Sequence, residues 1–310
     1  MSVVNQILSL TMLAQTARTA VPYVLASQGG VWSERSGVVN IALEGMMLAG
    51  GLAGVAVAHA HGAALGVVAA LAVGAALGAV HAAVTELGRI DAIVSGVAIN
   101  IVGLGGTRVI MRALYQSSSN SPSIDGFGSH GSGMLARVAL DPMSGATILA
   151  VVLTMAMLRG TRFGLRVRAC GEGPLAARAA GVAVVRTRVF AVAIGGALAG
   201  LAGAALAYDE HQFQSGMSGG RGFMALAAVV LSGWRPGRAA LVCVVFAALD
   251  ALQVVLQGHA RALQDLVQML PFVAALLALA VFARRGLGAD AQRQGRGTGG
   301  PPAGLGVHAR

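Results

Sequence analysis

Long apolar runs separated by short polar stretches dominate the chain. At about 20 residues per membrane-crossing helix, they predict spans near Ile7–Ser27, Val38–His59, Ala63–Thr85, Ile90–Leu114, Ser144–Leu158 and Val189–Tyr208. The C-terminal third is less regular. Ala239–Gln257 and Leu266–Phe282 read as fuller spans. Phe223–Trp234 is apolar but short: at about twelve residues it would rise about 18 Å, against a hydrocarbon core of about 30 Å. It reads as a half-helix or one end of a broken span. The pattern therefore predicts an all-α, polytopic transmembrane helical bundle of about 8–9 spans, some short or broken. The alternating segments of a membrane β-barrel are missing.

Composition supports a bilayer setting. The chain is 56% hydrophobic and 11% charged, whereas soluble domains carry about 25% charged residues. Among its 45 glycines are the G-x-x-x-G pairs Gly50/Gly54, Gly62/Gly66, Gly74/Gly78 and Gly196/Gly200, spacings that let helices approach closely. The charge is distributed unevenly. Residues 159–188 hold Arg159, Arg162, Arg166, Arg168, Arg178, Arg186 and Arg188, whereas residues 115–142 hold only Arg137. The first segment is expected in the cytoplasm and the second outside. The Gly/Pro/Arg-rich stretch 285–310, with Arg285, Arg293, Arg296 and Arg310, is expected to be a disordered basic cytoplasmic tail. This bias accounts for the net charge of +10 without a nucleic-acid partner; membrane lipids are the expected surroundings. All 22 basic residues are arginine, which excludes a Walker A loop and a lysine Schiff base. Cys170 and Cys243 lie in a polar loop and an apolar run, and neither a disulfide framework nor a metal site is expected. The N-terminus lacks a basic n-region, so insertion through uncleaved spans is expected.

Three segments interrupt the apolar pattern. The first is G-G-V-W-S-E-R-S-G-V-V-N-I-A-L-E-G-M-M, Gly29–Met47. It places Glu34, Arg35, Asn40 and Glu44 between apolar runs, although a charge at mid-membrane costs about 2.5–3.5 kcal/mol. Asn40 and Glu44 are four apart and would share a helix face. Glu34 and Arg35 lie among glycines, where non-helical backbone is expected. Such backbone survives at membrane depth only when buried in protein or lining a cavity. On the residues alone, a path-lining helix break and a solvated cytoplasmic turn stand equally. The second segment is G-M-S-G-G-R-G-F-M-A-L-A-A-V-V-L-S-G-W-R-P-G, Gly216–Gly237, with Arg221 ahead of the short apolar piece. Short, Gly-interrupted segments in two halves of a chain point to a transporter's central site; two interfacial turns are the alternative. The third is R-F-G-L-R-V-R-A-C-G-E-G-P-L-A-A-R-A-A-G-V, Arg162–Val182. Pro174 suits a helix start and Gly181 its end, which makes Leu175–Ala180 a short exposed helix, fit to dock in a partner's groove or to be an ordinary loop helix.

The remaining polar residues read more plainly. His59 and His61 point to different helix faces and suit an interfacial turn. Asp250, Gln253 and Gln257 share one face and suit either a path or inter-helix hydrogen bonding, as do Asp91 and Asn100. G-F-G-S-H-G, Gly126–Gly131, lacks the strand–helix context of a dinucleotide site. Asp209, Glu210 and His211 are expected in a solvated outer loop.

Over about residues 8–284, the three quoted segments resemble the permease subunits of ATP-binding cassette importers, in the branch serving simple sugars and nucleosides. The first segment is the most specific and is similar to the nucleoside type. Arg18, in the middle of the first span, departs from the pattern and is assigned no role. The resemblance implies a permease domain over 1–284, with a cytoplasmic coupling loop at about 159–188. It places Glu34, Asn40, Glu44, Arg221 and Asp250 along the translocation path. It assigns Leu165, Arg168, Gly171, Glu172, Pro174, Leu175, Arg178 and Gly181 to ATPase coupling. It implies no cofactor or covalent chemistry in this chain, since ATP and magnesium belong to a partner ATPase. It also implies a second, related permease as a heterodimer partner, an extracytoplasmic binding protein and a bacterial inner-membrane location. The rival reading is an ion-gradient-driven secondary transporter using Glu44, Asp91 and Asp250. An intramembrane enzyme is weaker, because no paired acids, Ser/His set or H-E-x-x-H stands at span depth. Nucleoside and sugar cargo both remain open.

Overall fold

The computed structural model describes residues 10–127, 141–257, 269–289 and 301–308. Arg137, Arg293, Arg296, Arg310 and the rest of residues 290–300 lie outside the described residues. Eleven helices follow one another among the described residues: α1 Leu10–Arg35, α2 Leu43–His61, α3 Ala63–Glu86, α4 Ala92–Tyr115, α5 Pro142–Gly160, α6 Arg162–Glu172, α7 Pro174–Ala179, α8 Val184–Asp209, α9 Arg221–Leu231, α10 Pro236–Gln257 and α11 Leu270–Ala289. The expected all-α polytopic bundle is observed. Six helices, α2, α3, α4, α5, α8 and α10, are long and apolar enough to cross a membrane. The count of about 8–9 adds α1, α9 and α11. Of these, α1 has 26 residues but a more polar sequence, while α9 and the apolar part of α11 are short.

The bundle is organised around α8, buried along most of its length and packed on α1, α2 and α3. Small residues make this possible: Gly50 lies against Gly200, and Gly74 against Gly196. Gly62 instead forms the α2–α3 turn, with open space around it, so its G-x-x-x-G spacing has no packing role. The core between the helices is filled by Leu25, Met46, Met47, Leu52, Ala199 and Phe213, among others. By contrast, α4 and α5 leave Ile101, Val109, Ile148 and Leu149 exposed, as suits contact with lipid chains.

Helix α1 runs on through Gly29 and Gly30 to Arg35, which corrects the expectation of non-helical backbone at Glu34 and Arg35. The segment remains helical because it is buried. Gly29 abuts Gly195 of α8, and Ser27 and Ser33 return their hydroxyls to the carbonyls of Val24 and Gly29, at 2.8 and 3.1 Å. The break comes later, at residues 36–42, where Gly37 takes φ +98°. Asn40 therefore lies in a turn, not on a helix face shared with Glu44. The basic segment 159–188, expected to carry one short helix at Leu175–Ala180, forms two, α6 and α7, with Thr161 capping the first through Gly164 N at 3.0 Å. The C-terminal stretch 285–310 differs from the expected disorder twice: α11 continues through 285–289, and residues 301–308 form a turn seated on α6 and α7. Gly304, lacking a side chain, lets the backbone lie close enough to be hydrogen-bonded there.

Candidate functional site

Trp234, three residues beyond the end of α9, packs against Val31, Trp32 and Leu158 at the arginine-rich end of the bundle. Eleven residues of helix rise about 16 Å, so the start of α9 lies near the middle of a core of about 30 Å. That start is held by Glu44, from the first turn of α2. Its carboxylate accepts from Ser218 Oγ at 2.5 Å, Gly220 N at 2.8 Å and Gly222 N at 2.7 Å. The first N–H groups of a helix have no partner within it and favour a negative charge. Gly222 is required by this approach, since a Cβ there would stand 2.6 Å from Glu44 N.

Beside this contact, Arg221 reaches Asp250 of α10 at 3.3 Å and lies 5.8 Å from the Tyr23 ring centre. Tyr23 donates its hydroxyl to the same Asp250 oxygen at 3.3 Å. Arg221 Nε has no hydrogen-bond partner among the described residues. The structure thus brings Glu44, Arg221 and Asp250 into one polar cluster and adds Tyr23, which the pattern of apolar residues conceals. Asn100 is engaged elsewhere: it accepts from Gly45 N at 2.8 Å and donates to Ile41 O at 2.9 Å, fixing the start of α2. Asp91 caps α4 through Ile93 N and Val94 N. Arg18, left without a role by the sequence, pairs with Asp209 at the end of α8.

Glu34 and Asn40 form a second group, towards the arginine-rich end. Glu34 is buried and accepts from Trp234 Nε1. Asn40 donates to Ser33 Oγ at 2.9 Å and accepts from Ala42 N at 3.1 Å, tying the turn at 36–42 to α1. His81, fully buried, joins Ser95 Oγ at 2.9 Å to Val39 O at 3.0 Å.

The centre of this end is Arg188. Its side chain is 0% exposed and pairs with Glu86 at 2.6 Å. It also donates to Ser36 O, Cys170 O and Val307 O at 3.0, 3.1 and 2.6 Å. Counted in the sequence only as one charge among many, Arg188 joins α8, α3, α6, the α1–α2 turn and the C-terminal segment.

Within α6 and α7, Leu165 and Leu175 are 61% and 70% exposed, and Arg178 is exposed beside them in sequence. Gly171 and Pro174 are buried on the opposite side. Gly171 packs on the Arg35 carbonyl, and Glu172 lies 3.6 Å from Arg35. Arg168 is half-buried and Gly181, at φ +81°, closes the turn after α7. The pair thus presents apolar side chains outward while its inner side rests on the α1–α2 turn.

Residues 12–276 match the family described as permease components of branched-chain amino acid transport systems. The chain belongs to this family. The permease is 36% identical over 248 residues to the guanosine ABC transporter permease protein NupQ of Bacillus subtilis, covering 74% of this chain and 77% of the relative. It is 36% identical over 264 residues to the putative glucose ABC transporter permease protein TsgC13 of Haloferax volcanii, covering 81% and 79%. It is 30% identical over 305 residues to the nucleoside ABC transporter permease protein NupC of Lactococcus lactis, covering 91% and 94%. No solved structure matches it. The permease is a multi-pass integral protein of the bacterial inner membrane and the transport component of an ATP-binding cassette system, a family that works with an ATPase and a binding protein. The ion-gradient-driven reading gives way to this one.

Proposed function

We propose that the permease forms half of an import path for nucleosides or simple sugars, driven by ATP hydrolysis on a partner ATPase that holds the ATP and magnesium. A related second permease completes the path, and an extracytoplasmic binding protein delivers the solute. The cargo class is supported by the nucleoside and sugar systems to which two-thirds or more of the chain is similar. Glu44, Arg221 and Asp250, at mid-depth, supply charged and hydrogen-bonding groups suited to hydroxyl-rich solutes. Glu34 and Asn40 stand on the same route nearer the cytoplasm.

The single observation that carries the ATPase-driven mechanism is the outward exposure of Leu165 and Leu175 on helices whose inner side rests on the α1–α2 turn. Leu165, Arg168, Gly171, Glu172, Pro174, Leu175, Arg178 and Gly181 form the coupling element in this reading. Movement of the ATPase presses the exposed leucines, and Gly171 passes the displacement to the turn that carries Asn40. Exchange between inward- and outward-open states then follows from the different fit of the ATPase to each.

Leu175→Arg is expected to cut solute moved per ATP at least about tenfold, the equivalent of about 1.4 kcal/mol, with little change in thermal stability, because the side chain is exposed. Transport and phosphate release measured together in proteoliposomes check this; an unchanged ratio counts against the coupling role. The cargo is tested by uptake of labelled guanosine in cells with and without the chain. Loss of uptake on deletion, unaffected by excess ribose or galactose, is expected of a nucleoside importer. A deficit confined to a sugar keeps the architecture and replaces the cargo.

A further inference from the structure

Residues 301–308 lie outside the stretch 12–276 that carries the family match, yet they are built into the arginine-rich end of the bundle. Gly304 N donates to Gly171 O at 2.7 Å, and Gly306 N donates to Gly37 O at 2.9 Å. Ala303 N reaches a Glu172 carboxylate oxygen at 3.4 Å. Val307 O accepts from Arg188 at 2.6 Å. Pro302 and Gly304 are buried, and Leu305 packs on the cluster that includes Trp32, Val167 and Trp234. The fit at Gly304 is close: a Cβ there would stand 2.8 Å from both Gly171 O and Pro174 Cδ. One short segment therefore holds α6 and α7 through Gly171, Glu172 and Pro174, the α1–α2 turn through Gly37, and Arg188, which itself binds Ser36, Cys170 and Glu86.

Each of these four bonds is made by a backbone atom of the segment, two of them to backbone partners, so the link between the parts is short. We infer that residues 301–308 are a coupling strap, bound within their own chain, that ties the ATPase-facing helices to the α1–α2 turn. Displacement of α6 and α7 reaches the turn by two routes, the direct packing of Gly171 on Arg35 and the strap from Gly171 to Gly37. This inference rests on the ATPase-driven reading above. A segment that merely held the fold together would behave differently: its loss would lower stability and depress every activity in proportion. Loss of a coupling strap leaves the complex and its ATP hydrolysis in place and lowers the yield of transport.

The test uses the complete complex in proteoliposomes, with the chain ending at Gly300 or carrying Gly304→Val. Transport per ATP is expected to fall roughly fivefold or more, within the usual range of coupling between sites, while assembly and ATP hydrolysis are retained. A synthetic peptide of residues 301–310 is expected to restore part of the loss in the truncated chain. A second reading comes from Leu305→Cys and a charged maleimide. Background is low, because Cys170 and Cys243 are buried and burial pushes the Cys170 thiol above its ordinary range. Labelling is expected to differ between the nucleotide-free and ATP-bound complexes. An unchanged transport-to-ATP ratio in both variants overturns the strap, as does a loss of transport matched by an equal loss of ATP hydrolysis and of thermal stability. Absence of ATP-driven transport by the unmodified complex overturns the importer reading itself, and the strap with it.

Discussion

Arg188→Ala is expected to lower the thermal midpoint of the purified permease by roughly 6–20 °C, from a loss of about 3–5 kcal/mol at about 2–4 °C per kcal/mol. The magnitude follows from what the substitution strands. Arg188 and Glu86 have side chains 0% and 3% exposed. Removal of the guanidinium takes a 2.6 Å ion pair from the buried Glu86 carboxylate and this donor from the carbonyls of Ser36, Cys170 and Val307. Against a total stability of about 5–15 kcal/mol, that is a large share. Arg188→Lys is expected to recover only part of the loss, because one ammonium cannot reproduce a planar fork directed at several acceptors. Thermal unfolding in detergent, followed by tryptophan fluorescence, checks the order of wild type, Arg188→Lys and Arg188→Ala. A midpoint for Arg188→Ala within about 2 °C of wild type, less than 1 kcal/mol by the same conversion, would show that the pair contributes little.

The second large effect is expected at Glu44, and it concerns transport more than folding. Glu44→Ala leaves Ser218 Oγ, Gly220 N and Gly222 N without their acceptor at the start of α9. Hydrogen bonds to a charged group are worth about 1.5–3 kcal/mol each, so even one bond not replaced by water predicts at least about a tenfold loss of uptake if α9 must hold this position. Glu44→Gln is a finer probe. It keeps one acceptor oxygen but turns an NH2 group towards at least one N–H or O–H donor, so it is expected to fall between wild type and alanine. Uptake and ATP hydrolysis are measured together. Normal assembly with strongly reduced uptake supports a place on the path, whereas uptake within twofold of wild type in Glu44→Ala removes Glu44 from it.

Much of the architecture is legible in the linear pattern, and particular residues show why. The half-helix at Arg221–Leu231 is visible because its apolar run is too short for the bilayer, a local property. The short helix α7 is visible because Pro174 and Gly181 punctuate a basic loop, whereas α6 before it is not. Asn40 misleads because i, i+4 spacing implies a shared face only if the backbone is helical, and the break falls at 36–42 instead of at Glu34 and Arg35. Tyr23, His81 and Trp234 pass unnoticed because an amphipathic side chain in an apolar run looks like packing until its polar atom has a partner. The C-terminal segment looks disordered because Gly and Pro are read as features of a free chain; a glycine such as Gly304 also allows a backbone to lie flat in a tight slot.

Insertion in the membrane, the helical class, the arginine-rich end and the three segments that depart from apolar regularity are all set by the linear pattern alone. Each depends on residues within a few turns of one another, where hydropathy, helix period and breaker residues act directly. The packed bundle decides which polar groups meet. Glu44 and Gly222 are 178 residues apart, Arg188 and Glu86 are 102 apart, and Val307 is 119 from Arg188. A charge buried among helices must find a partner, but its own surroundings in the chain do not say which one. That choice is made when small residues such as Gly50, Gly200 and Gly222 let particular backbones come together.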